Sequence, residues 1–179
     1  MQKVYEKQLE HNATHDYLTG LPNRRLFKSK LTERLCHPSS DSLAVLMLDI
    51  DDFKSINDTF GHDIGDAVIV EFGKKVSQYL GDNDIVARLG GDEFIVLLYS
   101  ISYAEKAEQF ANNIKEVMKK PWGGLEIGNI DVTTSIGITI TNSEDNKDAF
   151  QLMKQADIAL YEAKNDGKNG FYIYQDDTV

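Results

Sequence analysis

The chain has one cysteine, three prolines and one tryptophan in 179 residues, and no long apolar run. A lone Cys36 cannot close an internal disulfide, and the first residues carry no basic-then-apolar leader, so a reducing cytoplasm is the natural compartment. No stretch approaches the roughly eighteen consecutive apolar residues of a bilayer span. The segment therefore does not insert into a membrane by itself, whatever a longer parent chain contains. Positive charge is also scarce: 19 Lys and Arg stand against 29 Asp and Glu, a formal charge of −10. That balance excludes the basic face with which nucleic-acid binders neutralise phosphates. An anionic ligand would need divalent cations and a few placed lysines. What is present is ordinary for one globular domain, 41% hydrophobic and 27% charged, with length enough to bury a core unaided.

Met1 to His15 reads as a polar helix with Tyr5 and Leu9 as a thin apolar stripe, the end of a longer connecting helix. Gly20 and Pro22 interrupt it, and Asn23 caps a helix through Phe27 and Leu31 to about Cys36. Leu43 to Ile50 is apolar nearly throughout and predicts a central strand covered on both faces. Ile64, Val68, Phe72, Val76 and Leu80 recur every four residues and predict a sheet-packing helix from Asp63, after a polar segment that turns back through Gly61 and Gly65. Two further helices are expected over Tyr103 to Lys120 and Lys147 to Asn165. A strand pair is expected over Leu125 to Ile127 and Asp131 to Ile140, with a short last strand at Phe171 to Tyr174. The fold class is α/β in the α+β sense, a mostly antiparallel sheet flanked by helices.

The chemistry is concentrated at two places. Ile85 to Tyr99, IVARLGGDEFIVLLY, reads as two strands joined by a Gly90-Gly91 turn, with Asp92 and Glu93 immediately after it. Neighbouring strand residues point to opposite faces, so these two acids are expected to do different work. Asp49 and Asp51 end the earlier strand. Carboxylates converging from two strands, without a His or Cys cluster, select hard oxygen-seeking ions such as Mg²⁺ or Mn²⁺. Ions of that kind keep several waters and lean on substrate phosphates, and a pair of them suits in-line attack at phosphorus. Phosphoryl or nucleotidyl transfer is the reaction class the residues reach.

Gly90-Gly91-Asp92-Glu93-Phe94, DYLTGLPNRR from Asp16, LDIDDFKSINDTFGHDIGD from Leu48, VTTSIGIT from Val132 and ADIALYEAKNDGKN from Ala156 together resemble the GGDEF family, the diguanylate cyclases. The likeness spans about residue 14 to residue 174. It implies a connecting helix over 1–15, a catalytic domain over 16–176, and the palm-like fold of nucleotidyl cyclases. The implied reaction condenses two GTP into cyclic di-GMP and two pyrophosphates.

The resemblance carries further residue by residue. Asp49, Asp92 and the Ile50 carbonyl match metal-binding positions, for Mg²⁺ or Mn²⁺, two per active site. Glu93 matches an acid needed for activity, by ion contact or by deprotonating the ribose 3′-hydroxyl. Asn57 and Asp66 match the pair that reads guanine. Gly90 and Gly91 leave room for base and sugar, Phe53 and Lys54 offer backbone N–H groups to phosphates, and Lys164 and Lys168 offer side-chain cations. By the residues alone, those two lysines read as a solvated helix end complementing the helix dipole, and it is the resemblance that turns them toward phosphate.

One motif of the family is incomplete here. The Arg-x-x-Asp of its product-inhibition site is Gly81-Asp82-Asn83-Asp84, so Asp84 is kept and Gly81 replaces the arginine. Weak or absent feedback inhibition is the expectation. The implied chemistry joins two nucleotides, each on its own domain, so a homodimer is required, controlled by an upstream sensory domain. The alternatives are a silent module that binds GTP or cyclic di-GMP without turnover, and another nucleotidyl transferase on the same palm.

Overall fold

The computed structural model describes residues 1–37, 41–102, 104–125 and 131–176. Its elements are α1 (Gln2–Thr14), α2 (Arg24–Cys36), β1 (Ser42–Ile50), α3 (Phe53–Phe60), α4 (His62–Ser77), β2 (Ile85–Gly90), β3 (Glu93–Ile101), α5 (Ala104–Val117), β4 (Thr134–Thr141), α6 (Ala149–Asn165) and β5 (Gly170–Ile173). The strands form one sheet in the order β2-β3-β1-β4-β5, antiparallel except for the parallel β4–β5 pair.

The apolar run of β1 is explained by its central place, with β3 on one side and β4 on the other. Its residues alternate between two cores. Ala44, Leu46, Leu48 and Ile50 face Val68, Phe72, Phe110 and Ile114 of α4 and α5. Leu43, Val45 and Met47 face Phe27 and Leu31 of α2 and Leu152, Ala156 and Leu160 of α6. Gly137 of β4 lets α6 touch the sheet directly: a Cβ there would lie 2.1 Å from the Leu160 nitrogen and 2.2 Å from the Ala156 oxygen. Helix α1 buries no residue of its own. It is tied to the domain by Asn23, whose side-chain amide donates to the Ala13 oxygen (3.0 Å) and whose N–H donates to the Thr14 oxygen (2.9 Å).

Two sequence expectations need correction, and a third cannot be followed among the described residues. Phe53–Phe60 is a separate helix, and Gly65 lies inside α4 instead of making a turn. Gly65 is needed there for packing, because a Cβ would fall 1.7 Å from Asn57 Oδ1. The hairpin turn is Gly91-Asp92, not Gly90-Gly91, since Gly90 pairs with Glu93 across a register shift after Arg88. The expected strand at Leu125 to Ile127 falls almost wholly outside the described residues, while Leu125 itself lies outside the strands.

Candidate active site

The carboxyl end of β1 and the Gly91-Asp92 turn of the neighbouring hairpin meet at one edge of the sheet, where Asp49 stands directly opposite Glu93 in the register. An open cleft of about 410 Å³ lies there. Asp49, Ile50, Asp92 and Asn57 line it, with Phe53 and Lys54 at the start of α3, Lys164 in the last turn of α6 and Lys168 in the loop that follows. Eight of the positions singled out in the sequence are therefore brought together. Asp66, Gly90, Gly91 and Glu93 are not among the lining residues. Asp66 is exposed on α4, one residue from the Gly65 and Asn57 contact.

The electrostatics of the cleft call for a cation. Asp49 is buried, and its Oδ1 has no hydrogen-bond partner. Burial, together with the Asp49 carboxylate beside it, pushes the Asp92 carboxyl up to about 7. Two acids this close resist ionising together. The nearest compensation is Lys164, whose Nζ donates to Asp49 Oδ2. Burial works against the charge on Lys164, but its hydrogen bond to Asp49 and the charges of Asp49, Asp92 and Glu93 outweigh it and raise its pKa. Among the described residues no three His, Cys, Asp or Glu side chains form a closed metal-binding group. The oxygen donors instead fit an open site in which water and phosphate complete the shell of a Mg²⁺-like ion.

The rim suits phosphate. Asp52, before α3, has a left-handed φ of 52° and makes no side-chain cap, so the first N–H groups of the helix face the cleft without that partner. Its carboxylate instead accepts from Lys168 Nζ at 2.7 Å. Lys168 and Asn169 also have positive φ, 60° and 44°, so the loop leaving α6 is held in a strained form. Asp51 does the holding. Its Oδ1 accepts from Ser135 (2.6 Å) and its Oδ2 from Thr133 (2.7 Å) and the Asn169 N–H (2.9 Å). Both oxygens thus hold the loop leaving α6 against the start of β4, at the edge of the cleft that Asp51 also lines.

Sequence reasoning passed over Arg88. Its guanidinium is buried, donating from Nε to the Gly91 oxygen (3.0 Å) and pairing through Nη1 with Asp16 (2.9 Å), while its backbone N–H donates to the Pro22 oxygen (3.0 Å). Arg88 therefore fixes the carbonyl next to Asp92 and ties the hairpin to the chain leaving α1. The one available signal was an arginine inside an otherwise apolar strand. Asp84, by contrast, is spent locally: its oxygens accept from the N–H groups of Gly81 (2.8 Å) and Tyr99 (2.9 Å).

Comparison with known proteins shows the family and the fold. The family described as "Diguanylate cyclase, GGDEF domain" matches residues 13–170. Diguanylate cyclase TpbB of Pseudomonas aeruginosa is 39% identical over 162 residues, covering 89% of this chain and 37% of that protein. The signaling protein YkoW of Bacillus subtilis is 38% identical over 179 residues, covering 97% of this chain and 22% of that protein. The chain thus spans well under half the length of these relatives. The solved GGDEF domain of TpbB superimposes with a TM-score of 0.83 at 36% identity, covering 90% of this chain and 94% of that one. The coiled coil and GGDEF domain of DgcB from Caulobacter crescentus, solved with c-di-GMP, gives 0.80 at 27% identity, covering 96% and 91%.

Proposed function

The chain belongs to the GGDEF family of diguanylate cyclase domains, and from that premise we propose that it condenses two GTP into cyclic di-GMP with release of two pyrophosphates. The observation that carries this reading is the pairing of Asp49 and Asp92, one with an unpartnered buried oxygen and the other held near neutrality, under the cationic rim of Lys164 and Lys168. Asp49, Asp92 and the Ile50 carbonyl would hold Mg²⁺ or Mn²⁺, which when bound polarises the phosphate and neutralises its charge. The uncapped N–H groups of Phe53 and Lys54 and the two lysines bind the triphosphate. Asn57 reads guanine from the floor of the cleft, with Asp66 on the adjoining turn of α4. A buried acceptor left unpaired by adenine gives strong discrimination.

Glu93 has the proton affinity to take the 3′-hydroxyl proton, because burial first, and then the Asp49 and Asp157 carboxylates, raise its pKa. Each 3′-oxygen bonds to the α-phosphorus of the other nucleotide as the bond to pyrophosphate breaks. Two copies must therefore face each other in a homodimer. Residues 1–15 are the end of the helix that aligns them, and 16–176 the catalytic unit. Support for that division is the exposure of Val4, Tyr5 and Leu9 along α1, an apolar stripe suited to a partner helix and to control from an upstream sensory domain. No helix among the described residues is long and apolar enough to cross a membrane.

Incubation of the chain at high concentration with GTP and Mg²⁺, with Asp92→Ala alongside, tests the reading. Cyclic di-GMP that rises with the square of low enzyme concentration and disappears in the variant is expected. Unimpaired product from Asp92→Ala would refute the assignment.

A further inference from the structure

A second open cleft, of about 370 Å³, lies between α2 and α6 on the other side of Glu93. It is within the size range of small-ligand sites. Arg24 and Lys28 of α2 and Lys154 of α6 converge on it, and among the described residues none of the three forms an ion pair. In a chain of net charge −10, three cations without ion-pair partners around one concave, apolar-floored surface are a specific feature of that surface. The ring of Phe150 stands at the edge with 66% of its surface exposed, and Met47 and Met153 form the floor. Asp157 completes the rim.

Glu93 connects the two clefts. It lines the second and stands directly opposite Asp49 of the first across the β1–β3 pair. The first cleft has phosphate-binding groups for one nucleotide: one helix start and two lysines. The condensation needs two nucleotides to meet beside Glu93.

We propose that the α2–α6 cleft is a second nucleotide subsite, which receives the guanine nucleotide carried by the opposing copy of the chain. Arg24, Lys28 and Lys154 neutralise its phosphates, and Phe150 stacks on the face of its base that the opposing copy leaves open. This rests on the function proposed above.

The test uses the full chain with Arg24→Ala/Lys28→Ala, Phe150→Ala and the charge-keeping Arg24→Lys/Lys28→Arg. The probe for the first cleft is the α,β-methylene analogue of GTP, titrated at protein concentrations low enough to keep the chain monomeric. In the alanine variants, analogue affinity should change less than twofold and the melting temperature should hold. The GTP concentration for half-maximal cyclic di-GMP synthesis should rise at least tenfold. The charge-keeping variant should stay within about threefold of the original chain, because neutralising phosphate depends on the net positive charge of the surface.

Alanine variants as active as the original chain overturn the subsite. So does weakened analogue binding in the monomer, which would place the cations in the first cleft, and so does loss of nucleotide-independent self-association, which would make the surface a protein contact. An unmodified chain that makes no cyclic di-GMP overturns this inference and the parent function together, whereas active but insensitive variants overturn the subsite alone.

Discussion

Arg88→Met is the most informative single change outside the cleft. The guanidinium and the Asp16 carboxylate are both largely enclosed, at 8% and 12% exposure, and removing one member of such a pair strands the other. Breaking a buried pair in this way costs about 3–5 kcal/mol. Asp16 keeps its bonds from the Thr19 N–H and hydroxyl, each 2.8 Å, so the low end, about 3 kcal/mol, is the appropriate figure. For a domain of this size that corresponds to a fall in melting temperature of about 6–12 °C. Asp16→Asn/Arg88→Met should recover part of the loss, because the amide oxygen can still accept from Thr19 and no charge is left enclosed.

The pH dependence of that change follows from Asp16. Burial pushes the Asp16 carboxyl up, but the Thr19 bonds and Arg88 outweigh it, so its folded pKa lies below 3.8. A depressed folded pKa contributes stability that is complete above the unfolded value and lost as pH falls through the folded one. In Arg88→Met burial is opposed by the Thr19 bonds alone, so the Asp16 pKa rises, and the gap between the original chain and the variant should be full near neutrality and narrow as pH falls through the variant's raised value. Urea titrations at several pH values read both quantities. A loss under about 1 kcal/mol at neutral pH, or a gap that widens as pH falls, would show that Arg88 does not hold the Asp16 charge.

Three further outcomes are expected. Gly65→Ala must displace Asn57, whose flexible amide can move at little cost, so the half-saturating GTP concentration should rise about tenfold, or 1.4 kcal/mol, while thermal stability stays nearly constant. Gly137→Ala meets backbone instead of a movable side chain and must lift α6 from the sheet; about 3 kcal/mol or more should be lost in denaturant titration. Cyclic di-GMP added to the active enzyme should not produce tight non-competitive inhibition, because Gly81 supplies no guanidinium and Asp84 is occupied by backbone N–H groups.

How far the fold could be read from the sequence depended on the range of the determining contacts. The unbroken apolar run of β1, the fourfold spacing of Ile64, Val68, Phe72 and Val76, and the Asn23 cap are local signals, and each corresponds to an observed element. Phe53–Phe60 gave a weaker signal: only Ile56 is fully buried, and the polar side chains around it obscure the period. Gly65 read as a turn residue because glycine often is one, yet its missing side chain is used for close approach to Asn57.

By itself the sequence determined the family and the sheet-and-helix class, and it singled out the acids to which the proposed chemistry is assigned, because motif spacing and periodicity are properties of neighbouring residues. Only tertiary structure decided how those acids are divided. Asp49 meets Lys164 across 115 positions, Asp51 accepts from Ser135 and Asn169 across 84 and 118, and Arg88 reaches Asp16 across 72. A carboxylate's chemistry is set by burial and by the charges that folding places beside it. Asp49, Asp51, Asp92 and Glu93 are alike as sequence and unlike in the folded protein for that reason.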